Sequence, residues 1–64
     1  MKYNVLNGKI VEKGIKRQEI YKELGISEKS FRNKLNGKSD FTWTQVCLIQ
    51  EKFFPELDKE TLFA

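Results

Sequence analysis

The fold is decided by one stretch, Leu24-Gly25-Ile26-Ser27-Glu28-Lys29-Ser30-Phe31-Arg32-Asn33-Lys34-Leu35-Asn36-Gly37-Lys38. Gly25 follows Leu24, which stands one turn after Ile20. It therefore ends a helix that begins near Lys16, because only glycine readily takes the left-handed conformation that closes a helix. Two residues later Ser27 is a natural N-cap, with Ile26 before it able to pack back on the helix it starts. Phe31 and Leu35 then lie one turn apart, and Asn36-Gly37 closes the new helix. Two short helices joined by so few residues meet at about 90–120°, the geometry of a helix-turn-helix spanning roughly residues 16–36.

The same signals continue on both sides. Tyr3, Leu6 and Ile10 recur at helical spacing before Gly14, which predicts a first helix over 3–13. Thr42-Trp43-Thr44-Gln45 reads as a capping box, and behind it Val46, Cys47, Ile49, Phe53 and Phe54 form an apolar face up to Pro55. Asp58 is placed to cap a last short turn carrying Leu62 and Phe63. No segment alternates with period two for long. The expectation is an all-α, compact five-helix single domain over residues 1–64.

Composition narrows the function. In 64 residues there is one cysteine and no histidine, so an internal disulfide and Cys/His metal sites are excluded. Met1 to Gly14 hold no continuous apolar run, so neither a signal peptide nor a membrane span is expected. A lone thiol and no export signal fit a reducing cytoplasm. The net charge of +3 is unevenly spread. Residues 1–38 hold ten bases against four acids, a net of +6, while residues 39–64 hold two against five, a net of −3. A basic front and an acidic back point to a polyanion on one side.

On the helix after Ser27 the outward positions are Glu28, Lys29, Arg32 and Asn33, all polar. Arg32 has the fork that matches guanine O6 and N7, Asn33 suits adenine, and Glu28 can accept from cytosine N4 or pair with Arg32 at i,i+4. Arg17 and Lys38 suit phosphate, one at a helix N-terminus and the other in a loop beside the groove.

Gly14-Ile15, Gln18-Glu19-Ile20, Leu24-Gly25-Ile26-Ser27 and Leu35-Asn36-Gly37-Lys38 resemble the phage-repressor-like helix-turn-helix family of the Cro and XRE type. The resemblance extends from about residue 5 to 63, including Leu62-Phe63, and is most specific over Leu24 to Lys38. It implies a lambda-repressor-like DNA-binding domain, dimeric on pseudo-palindromic double-stranded operators, in the cytoplasm of a bacterial or phage-infected host cell. Ser27, Glu28, Lys29, Arg32 and Asn33 fall where the family reads bases. Lys16, Arg17 and Gln18 fall where helix two anchors a phosphate, and Asn36 and Lys38 match the loop that touches backbone. Tyr21 stands where the family usually has alanine, so its ring must lean outward or widen the helix pair. Lys34 replaces an aliphatic residue, and Leu35 takes over the core role.

Other chemistry finds little footing. Glu19 and Glu23 share a helix face but lack a cleft or histidine, and read as a solvated face. Ser27 and Ser30 have no base partner, Cys47 sits in an apolar stripe, and no enzyme activity or cofactor is expected. Trp43 and Phe41 open helix four and read as core. Phe53, Phe54, Leu57, Leu62 and Phe63 admit two readings: a last turn folded back over helices one and four, or a self-complementary patch for a dimer. Two functions follow. The first is a sequence-specific DNA-binding regulator that inserts helix three into the major groove. The rival is a protein-binding modulator of the same fold, pairing with a larger phage repressor and binding operators weakly or not at all.

Overall fold

A computed structural model of the chain describes residues 3–64; Lys2, one of the ten bases of the front, lies outside the described residues. Five helices follow in order: α1 (Asn4–Lys13), α2 (Arg17–Leu24), α3 (Glu28–Leu35), α4 (Trp43–Phe53) and α5 (Lys59–Leu62). No strand occurs among the described residues, and the domain measures 27 × 21 × 20 Å. It is all-α, as the periodicity predicts.

Local chemistry sets each boundary. α1 and α2 end at Gly14 and Gly25, with φ of 67° and 71°, and each glycine N–H returns to carbonyls of the last turn. A side chain at either position would be strained by the backbone alone, although open space surrounds both. Ser27 Oγ accepts from the Ser30 N–H at 3.1 Å to start α3. At α4 both halves of the capping box are made: Gln45 N–H donates to Thr42 Oγ1 at 3.2 Å, and Thr42 N–H donates to Gln45 Oε1 at 3.0 Å. Asp58 caps α5, accepting from the Thr61 N–H at 2.7 Å. α2 differs, since Lys16 gives it no side-chain cap.

The core draws on every helix. Leu6 and Ile10 of α1, Ile20 of α2, Phe31 and Leu35 of α3, Ile49 of α4, Phe54 just past it and Leu62 of α5 are all buried. Each such side chain contributes about 1.5–3 kcal/mol on leaving water. Leu35 rather than Lys34 faces inward, and the Lys34 ammonium instead donates to the Asp40 carbonyl at 2.8 Å, holding the loop between α3 and α4. Tyr3, Phe41 and Phe63 form a ring cluster with centroids 5.3–5.7 Å apart, and Phe41 also reaches Phe31 at 6.1 Å. Edge-to-face pairs at this range add about 0.5–1.5 kcal/mol beyond their burial.

This packing accounts for part of the C-terminal apolar surplus. α5 packs on both α1 and α4, so the last turn folds back. Phe54 and Leu62 are fully buried and therefore are not part of an exposed dimer patch. Phe53, Leu57 and Phe63 are half-buried against the same core. Trp43 corrects the sequence in the opposite sense. Expected in the core, it is 70% exposed. As the first residue of α4 it projects from the capped end, and Phe41, just before the cap, fills the core position instead.

Candidate nucleic-acid interface

The connection Gly25–Ser27 brings α3 against α2, and their outer faces bound a shared depression of about 360 Å³. Arg17 and Gln18 enter it from the start of α2, Glu28 and Arg32 from α3, and Tyr21, Phe31 and Leu35 line its remaining wall. Four of the residues singled out from the sequence, two as phosphate and two as base contacts, thus share one concavity although up to fifteen positions separate them. Tyr21 is half-buried, its ring centroid 6.3 Å from that of Phe31, so the ring leans toward the depression while Ile20 fills the core behind it.

The charged groups here are held lightly. Arg32 Nη1 lies 3.6 Å from Glu28 Oε1, one turn apart, with both side chains more than half exposed. A surface pair of that kind is worth about 0–1 kcal/mol. A bidentate guanine contact, worth about 1–3 kcal/mol, outweighs it, so Arg32 can leave Glu28 for a better partner. Arg17 is steadied from outside the helix pair, where its Nη2 donates to Asn7 Oδ1 on α1. That leaves most of the guanidinium donors unused. Beside it the first N–H groups of α2 meet no side-chain cap, an arrangement that favours an anion.

The remaining candidates are less closely drawn in. Lys29 and Lys38 are exposed, Asn33 is half-buried, and Asn36 is the exposed residue that ends α3. Ser27 is exposed, with its hydroxyl oxygen occupied in the cap. Lys16 is exposed at the start of α2. None of these six lines the depression. The Glu19/Glu23 pair lies on an exposed face, and Glu23 forms an ion pair with Lys52 of α4, which ties the two helices together. Asn7 was not legible as a site residue, because its link to Arg17 crosses from α1 to α2 and no local spacing announces it.

Comparison with known protein families matches residues 1–61 to one described as "Protein of unknown function (DUF739)". The chain belongs to the DUF739 family. The match takes in all the residues around the depression and most of α5. No curated protein and no solved structure matches the chain. Membership of DUF739 therefore carries no activity with it. Among the described residues no helix is long and apolar enough to cross a membrane.

Proposed function

We propose that the protein is a sequence-specific DNA-binding regulator of the Cro and repressor type, with α2 and α3 as its helix-turn-helix and α3 entering the major groove. One observation carries this reading: a helix start with N–H groups that lack a side-chain cap and the Arg17 guanidinium, which spends one donor on Asn7, shares a concavity with a helix face bearing Arg32. The first set suits phosphate, which positions the protein, and the second suits base edges, which specify the sequence. Lys29 and Asn33 extend the base-reading face, while Lys16 and Lys38 add charge on either side. A domain this small covers about 600–1,000 Å² of DNA, so useful specificity calls for two copies on two half-sites.

The rival reading, a modulator that binds a larger repressor protein, draws on the wall of the depression, where the half-buried Tyr21 ring offers apolar contact. The test is selection from a pool of random duplexes, with binding followed by fluorescence anisotropy at low and physiological salt. An enriched, roughly palindromic site that survives physiological salt is the expected result. Weak binding that vanishes with salt and enriches no motif would leave only a basic surface and favour the rival.

A further inference from the structure

We infer that this face also receives a second copy of the chain, head to tail, with Trp43 of one molecule seated in the α2–α3 depression of the next. The observation behind this is a matched knob and hole on one small domain. Trp43 stands 70% exposed at the start of α4, beside the turn that runs into α5. A tryptophan offers about 150–250 Å² of contact and is among the residues that most often dominate protein interfaces. Lys59 Nζ lies over the Trp43 ring, 5.9 Å from the centroid, and most of the residue remains exposed.

The surroundings of the two features are complementary. Around Trp43 stand the carboxylates of Glu56, Asp58 and Glu60, against the ammonium of Lys59 and that of Lys13, which pairs with Glu56 at 2.8 Å, so the rim keeps a net negative charge. Around the depression stand Arg17 and Arg32, against Glu28, with the half-buried ring of Tyr21 as the apolar side chain it presents, since Phe31 and Leu35 beneath are buried. At about 360 Å³ the depression is at the small end of sites that take an organic group. A two-fold contact of Trp43 on Trp43 would instead bring both sets of carboxylates together, which disfavours it. The head-to-tail contact places each acidic rim on a basic one and is heterologous, so the same surface is not used on both sides. A small contact of this kind makes a transient association that weakens with salt.

This inference does not depend on DNA binding, and its test contains no nucleic acid. The two do share a surface, so a bound duplex and a docked copy exclude each other. Trp43 is the only tryptophan, so its emission reports its own burial. In the intact chain, raising the concentration from about 1 µM to about 1 mM is expected to shift emission to the blue, and added salt to reverse the shift. Trp43→Ala and Arg32→Glu are each expected to sediment as monomers, and Arg32→Glu alone to keep exposed emission. Mixing the two is decisive, because the first keeps an intact hole and the second an intact knob. Recovery of the blue shift in the mixture is the expected result. A mixture that stays exposed, a wild-type chain without a concentration-dependent shift, or a shift indifferent to salt would each overturn the inference. A duplex selection that fails while the mixture recovers its shift would remove the DNA reading alone.

Discussion

The α2–α3 front and the α4–α5 back are built from similar short helices but close their ends differently. At the back each helix start is satisfied from within, by the reciprocal Thr42–Gln45 box and by Asp58, and the turn between them is held by Gln50 Nε2 donating to the Leu57 carbonyl at 2.8 Å. At the front α2 starts without a side-chain cap, and its neighbouring guanidinium keeps most of its donors unengaged. Polar groups satisfied internally stabilise the fold, whereas groups left to solvent are available to a partner. The contrast teaches that the polar groups of this domain's back are spent on the fold, while some at its front are left to solvent.

The largest effect should come from the back. Phe54→Ala empties a fully buried ring position and is expected to cost about 3–5 kcal/mol, enough to unfold most of the chain, as read by urea titration followed by circular dichroism. Trp43→Ala, eleven residues earlier but exposed, should stay within about 0.5 kcal/mol of wild type. Equal losses from the two would break the distinction between core and surface aromatics drawn here.

At the front the effects should appear in binding. Arg32→Ala is expected to relax preference at one base position by about 1–3 kcal/mol. Arg17→Ala should weaken all duplexes alike and reduce the salt slope by about 1. Competition binding with operator and random DNA separates the two, and equal loss on both for Arg32→Ala would refute its assigned role. Lys16→Ser sharpens the contrast further. A serine cap should raise stability by about 0.5–1 kcal/mol in thermal melts while weakening DNA, since the new cap competes with phosphate for the same N–H groups.

The smallest effect is a pH dependence at the back. The hydrogen bond from Lys13, at 3.0 Å to Glu56 Oε1, is the main cause holding the Glu56 carboxyl below its ordinary range. Hydrogen bonds that Asp58 accepts from Thr61 do the same for its carboxyl. Both groups hold protons less readily folded than unfolded. Their stabilisation is therefore complete above the ordinary carboxylate range and is lost as pH falls through the lowered folded values. Lys13→Met should flatten the acid side of a stability–pH curve by removing the Glu56 part, and an unchanged curve would show that the contact contributes nothing.

The helix ends were legible because the causes are local: Gly14, Gly25, Ser27, Thr42 and Asp58 act within a few residues of themselves. The same holds for the choice of Leu35 over Lys34, which follows from its spacing to Phe31. What could not be read is the burial of residues near a helix end. Phe41 and Trp43 look alike in sequence, and only the path of the loop after Lys38 decides which one turns inward. Likewise Phe54 and Leu62 could be counted as surplus until α5 is seen to lie across α1 and α4. In the candidate site, the outer face of α3 follows from periodicity, while the Asn7–Arg17 contact depends on how α1 meets α2.

The contact of α1 with α5 has a consequence for how the chain holds its structure. The N–H of Tyr3 also meets the Leu35 carbonyl at 3.4 Å, and Lys13 reaches across forty positions to the Phe53 carbonyl at 2.9 Å. The two ends of the described chain therefore lean on one another, so loosening residues 59–62 is expected to loosen the first helix as well.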